Sequence, residues 1–307
     1  MNDTASPAPS SGGQPSGLPA ALGAYTIWGI LPVYIMLFSS VPPVEFVGWR
    51  IIWTLPLCLI IVAFRRQFGE IARAFASPRM MLALLASAAL IAINWFVYTW
   101  AIMQNQVYAA SLGYYLNPLL NVLLGTLLLG ERLSRLQWLA VAVAALAVAI
   151  LSAGALTTLW ISLTLALSFG LYGVVRKQLV VGALPGLTIE TIILIPVAVG
   201  IVLWYGFTPE GSAFGRDLQV SGLLVVSGVV TAIPLLLFAI AARRMPYSTL
   251  GFIQYLAPTL VFLQGLFIFG QQLRTVQLGS FLLIWTAVAI FVADLLWRTR
   301  KARLAAA

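Results

Sequence analysis

The sequence predicts an all-α transmembrane protein of ten helices, arranged as two inverted five-helix repeats with both ends of the chain in the cytoplasm. Three observations predict it. The composition cannot build a soluble surface, the basic residues sort to one side of ten apolar runs, and the two halves align at a single offset.

Of 307 residues, 62% are hydrophobic and 8% are charged, against roughly 25% charged in ordinary globular chains. A membrane-spanning helix takes about 20 mainly apolar residues, because the hydrocarbon core is roughly 30 Å thick and each residue rises about 1.5 Å. Apolar runs broken by charge, Pro or Gly place helices over 20–38, 44–64, 79–101, 106–129, 134–152, 157–175, 187–206, 218–242, 247–269 and 275–297. The connections leave no room for an extramembrane domain. Residues 1–19 are rich in Ser, Gly and Pro and lack the basic start of a secretory signal, so they read as a disordered cytoplasmic tail. Residues 299–307 read as a basic cytoplasmic tail.

With the N-terminus inside, Arg65, Arg66, Arg73, Arg79, Arg132, Arg135, Arg176, Lys177, Arg243, Arg244, Arg298, Arg300, Lys301 and Arg303 fall in cytoplasmic connections or the tail. Arg216 and Arg274 fall outside, and Arg50 alone lies within a span. This is the positive-inside pattern. The net charge of +9 therefore reads as a topology signal facing anionic lipid, not as a nucleic-acid interface.

At an offset of 140 residues, Tyr115-Leu116-Asn117-Pro118 meets Tyr255-Leu256-Ala257-Pro258. The same register pairs Gly125 with Gly265, Gly130 with Gly270, Gln137 with Gln277, and Pro56 with Pro196. Two five-helix units follow, over 20–152 and 153–298. Five is odd, so the second copy enters the membrane upside down, an architecture of alternating-access transporters that bind solute near the midplane.

The chain at this point resembles the drug/metabolite transporter superfamily with paired EamA domains, and within it the RarD-type permeases linked to chloramphenicol sensitivity. The resemblance rests on Asn94-Trp95, the stretch from Ala110 to Gly125, Gly130-Glu131-Arg132-Leu133, Gln137-Trp138, Glu190 to Pro196 and Gln254 to Thr259. It implies a ten-helix permease of the bacterial cytoplasmic membrane, with a small-molecule solute and membrane lipids as partners. Two departures stand out: Tyr108 and Gln271 occupy positions where members of this branch usually or commonly carry an acid.

Arg50 is the leading candidate for the site, since a cation in a membrane helix costs at least about 2.5 kcal/mol at the centre without a partner or water. Glu190 is its repeat mate. The two either meet across the pseudo-twofold axis, flank a wet cavity, or snorkel to headgroups from their helix ends. Glu45 reads as interfacial. Asn94, Trp95, Tyr98, Tyr115, Asn117, Asn121, Tyr172, Gln254 and Tyr255 complete the candidate solute-binding set, with Trp28 and Trp53 as further aromatics. Helix-helix hydrogen bonding or an interfacial aromatic belt is their alternative role. Pro118, Pro258, Pro56 and Pro196 are candidate hinges, with Pro234 a further kink; each removes a backbone hydrogen bond inside a helix. The small residues from Ala140 to Ala149 suit close packing or a homodimer face.

Enzyme chemistry fits poorly. There is no histidine, Cys58 is the single cysteine, and Asp3, Asp217 and Asp294 fall at or beyond helix ends. No cofactor or metal is expected. A flippase for a lipid-linked sugar or headgroup stays open beside the permease, and a channel fits less naturally.

Overall fold

The computed structural model describes residues 16–38, 40–104, 107–153, 159–268 and 275–306, which form helices and no strand. In chain order these are α1 (Leu18–Met36), α2 (Pro43–Arg65), α3 (Phe68–Phe75), α4 (Pro78–Met103), α5 (Val107–Leu127) and α6 (Arg135–Ser152). They continue with α7 (Leu159–Gln178), α8 (Ala183–Gly206), α9 (Leu218–Arg244), α10 (Tyr247–Gln254), α11 (Leu256–Phe267) and α12 (Thr275–Ala306). Eight of them, α1, α2, α4, α6, α7, α8, α9 and α12, are long and apolar enough to cross a membrane. Helix α5 and the α10–α11 pair account for the other two expected segments. Phe64, Leu127, Trp204 and Phe267 are each more than 70% exposed, a surface suited to lipid.

Three local differences from the sequence expectation have clear causes. The ninth expected helix is broken at Tyr255. The break falls one turn before Pro258, whose ring displaces the carbonyl of Gln254 and offers it no N–H. Pro118, Pro56, Pro196 and Pro234 all sit inside uninterrupted helices. The short α3 buries Ile71 and Ala74 and leaves Phe68, Arg73 and Phe75 exposed, so a stretch expected to be loop lies as an amphipathic helix across the end of the bundle. Finally, α12 runs to Ala306, past the expected end at 297, which makes helix of most of the basic tail.

The packing exchanges the two halves. Helix α2 packs on α8, α6 on α12 and α5 on α10, each a helix against its counterpart at the 140-residue offset. The contact of α4 with α7 is matched by α9 with α1, that of α5 with α7 by α11 with α1, and that of α2 with α9 by α8 with α4. Ala140, Ala144 and Ala147 are fully buried along α6, beside the partner helix α12, so the small-residue stripe is used within the chain.

The connections expected to be cytoplasmic gather at one end. The Lys177 ammonium donates to the carbonyls of Ala242 (3.0 Å) and Met245 (2.6 Å) and lies 3.9 Å from Glu131. Arg243 donates to the Val181 carbonyl, and the Gly182 amide donates to Glu70. Gly17, just before α1, lies against Arg244. At the opposite end Phe38, Val41, Phe46, Ala213 and Leu224 form a separate apolar cluster.

Candidate functional site

Helices α2, α4, α8 and α9 meet around a small chamber of about 10 Å³, room for a single water, lined by Ile51, Thr54, Trp95, Leu187, Thr191, Leu194 and Leu235. Six of these seven are repeat mates: Ile51 with Thr191, Thr54 with Leu194 and Trp95 with Leu235. The cavity's walls are thus matched in pairs at the 140-residue offset. Gly228 makes the approach of α9 possible, because a side chain there would overlap the backbone of Trp53. The Thr54 hydroxyl donates to the Arg50 carbonyl (2.7 Å), and that of Thr191 donates to the Leu187 carbonyl (2.7 Å), so both polar side chains in the wall are spent on their own helices.

Arg50 lies one turn before Thr54. Its Nε donates to the Thr231 hydroxyl at 2.9 Å. The guanidinium carbon sits 5.3 Å from the Trp95 ring centre and 5.5 Å from that of Phe46, a cation–π arrangement. Tyr34, Tyr98 and Tyr114 supply its electrostatic neighbours, and Tyr98 and Tyr114 meet edge to face at 6.0 Å. No carboxylate pairs with Arg50 among the described residues.

Glu190 is partnered elsewhere, so of the alternatives open for the pair a direct meeting is not the one found. Its Oε1 lies 3.3 Å from Arg176 Nη1 and accepts from the Ser87 hydroxyl at 2.5 Å, with the Tyr172 phenol alongside. Arg176 and Glu190 are each 2% exposed. The ends from which the two helices start explain the separation. Arg50 and Glu190 are each the eighth residue of their helix, but α2 starts at the apolar end and α8 at the basic end. Cys58 is the α2 residue level with Glu190 and Thr188, two turns and roughly 12 Å beyond Arg50.

The remaining candidates divide. Trp95 lines the chamber and Tyr98 stands near Arg50. Asn94 instead ties α4 to α7, donating to the Leu165 carbonyl (2.8 Å) and the Ser168 hydroxyl (3.0 Å). Asn121 donates to Gln254 at 2.7 Å across α5 and α10. In the same pair of helices Asn117 is buried, with its carbonyl oxygen unpartnered, and so is the Tyr255 hydroxyl at the helix break. Tyr115 packs toward α6, and Tyr172 stacks on Phe238. Trp28 belongs to an aromatic cluster with Tyr25, Phe169 and Phe238, and Trp53 leans on Phe214.

Sequence reasoning missed Arg176, read as a loop cation, although it lies in the last turn of α7 and is buried. No local signal marks it: the close fit of Gly186, one turn before Glu190, against the Arg176 guanidinium is visible only in the folded chain. Glu45, in the first turn of α2, is fully buried, accepting from the Ser212 hydroxyl (2.6 Å) and the Ala213 amide (2.7 Å). Asp294 is likewise buried, inside α12, where it accepts from Ser134 and pairs with Arg298, each at 2.9 Å.

The model of the EamA-like transporter family matches residues 15–153. A transporter of Pseudomonas aeruginosa is 44% identical, covering 93% of this chain and 95% of that one. The RarD protein of Escherichia coli K12 is 40% identical over 93% of this chain and 96% of its own length. That of Salmonella typhimurium is 41% identical over 93% and 97%. A crystal structure 19% identical in sequence superposes with a TM-score of 0.71, covering 91% of this chain and 98% of the other, a likeness of fold.

Proposed function

Starting from the chain's membership of the EamA-like transporter family, as a multi-pass membrane transporter of the bacterial inner membrane, we propose that it is a permease moving a small organic solute by alternating access at the chamber between its halves. The solute is a small metabolite or drug. The observation that carries this reading is the lining of the chamber by repeat-mated residues. A cavity on the axis between inverted halves is the place that rocking one half against the other opens to each side in turn. The exchange pattern of the helix contacts supports two inverted units. Arg50, Trp95 and Tyr98 are the expected solute contacts, and the break before Pro258 is the expected hinge.

The test is counterflow in proteoliposomes, with solutes ranked beforehand by thermal shift among amino acids, organic acids and amphenicols, since a ligand of the native state raises its apparent stability. Saturable uptake accelerated by unlabelled solute on the far side is the expected result. Lipid scrambling without solute flux would replace the permease with a flippase.

A further inference from the structure

We infer that the solute is a monoanion, a carboxylate carried on an apolar body, with its head on Arg50 and its body in the adjoining chamber. The inference rests on the permease reading and deepens it. The starting point is an unbalanced charge. A guanidinium inside a membrane bundle is stable only with a counter-charge, water or polar partners, and the protein's own acids are committed elsewhere. Glu190 is held by Arg176 and Ser87. Glu45, five residues before Arg50, holds Ser212, Ala213 and Trp49 through one carboxylate oxygen and forms no ion pair with Arg50.

Among the described residues, Arg50 is surrounded by one hydroxyl on Nε, the rings of Phe46 and Trp95, and the phenols of Tyr34, Tyr98 and Tyr114. The Thr231 hydroxyl uses one of five N–H donors, no carboxylate among those residues pairs with the guanidinium, and its planar fork is the shape that matches a carboxylate. A single arginine with no second cation beside it balances one negative charge, which favours a monocarboxylate over a phosphate dianion. The rings contribute attraction to the cation without neutralising it.

The body is read from the chamber. Trp95 both underlies the guanidinium and forms part of the chamber wall, so one side chain borders both spaces. Beyond it the wall is Ile51, Leu187, Leu194 and Leu235, with the Thr54 hydroxyl already spent on the Arg50 carbonyl. That wall is mainly apolar, and at about 10 Å³ the cavity has room for no more than a water in this state, so an apolar body enters it only as the halves part.

The test compares carboxylates with the neutral amides of the same shape: phenylacetate with phenylacetamide, and isovalerate with isovaleramide. Inorganic phosphate is the dianion control. In the purified protein the acids should raise the melting temperature while the amides and phosphate do not. Counterflow of the acids should fall at least tenfold in Arg50→Met and only partly in Arg50→Lys, which keeps charge and loses the fork. Circular dichroism of Arg50→Met should match the parent, so that lost flux is not lost folding. Equal responses to acid and amide, a response to phosphate alone, or undiminished flux in Arg50→Met would overturn the assignment. Saturable flux of neutral solutes that ignores Arg50 would remove the anion and leave the permease standing. Absence of saturable flux for every solute would remove both.

Discussion

Arg50 and Glu190 hold the same place in the two halves and have opposite surroundings. Four residues before Glu190, Gly186 leaves room for the Arg176 guanidinium. Four residues before Arg50, the mate of that glycine is Phe46, whose ring faces the cation. The mate of Arg176 itself is Met36, so the first half lacks the second charge. On the far side, Trp95 stands where the second half has Leu235. The repeat thus conserves a backbone position and spends it twice. One copy neutralises its charge internally and seals it, and the other leaves its charge beside the central chamber. The two solutions also lie toward opposite ends of the bundle, Arg50 nearer the apolar cluster and Glu190 nearer the basic connections.

The largest effect that separates the two sites is on stability. Arg176→Met should cost about 3–5 kcal/mol, because it strands a buried carboxylate, and Glu190→Gln added to it should recover most of the loss. Arg50→Met should cost less than about 1 kcal/mol while removing transport, since no protein carboxylate is left unpaired by it. Thermal unfolding in detergent measures both. Comparable losses for the two arginines would erase the distinction between a sealed pair and an open cation.

A smaller effect sharpens the role of the glycine. Gly186→Ala places a methyl group against the Arg176 guanidinium and should cost about 1–3 kcal/mol by overpacking. In an Arg176→Met background, where a slimmer and flexible side chain fills that space, the penalty should shrink to well under half. Additive losses would show that Gly186 serves its own helix and not the ion pair.

How far the sequence disclosed this arrangement depends on whether a feature is local. Helix positions followed from apolar runs, since length and hydropathy are properties of a segment. The register of the halves followed from Pro118 and Pro258, yet only the second proline interrupts its helix. The motif residues Gly125, Gly130 and Glu131 were visible as markers, but their purpose was not. Glu131 accepts from the amides of Tyr247 and Ser248, capping α10 from more than a hundred residues away, and Gly125 leaves space for that carboxylate. Arg176 was hidden for the same reason. A cation at the end of an apolar run looks like a topology signal, and only the path of the chain shows that Glu190 lies beside it.

The smallest expected effect lies at the seam that stands apart from both sites. Ser134 caps α6 reciprocally with Gln137, at 3.0 Å in each direction, and also donates to Asp294 of α12. Ser134→Ala should cost about 1 kcal/mol, the usual loss of a helix cap, because Asp294 keeps Arg298 as a partner at 2.9 Å. Since α6 and α12 pack on each other and line no part of the chamber, the rate of counterflow per folded molecule should stay at the parent value. A fall in flux beyond the fall in folded protein would mean that this seam moves during transport. The contrast drawn here between one working site and one sealed site would then have to include a third moving part.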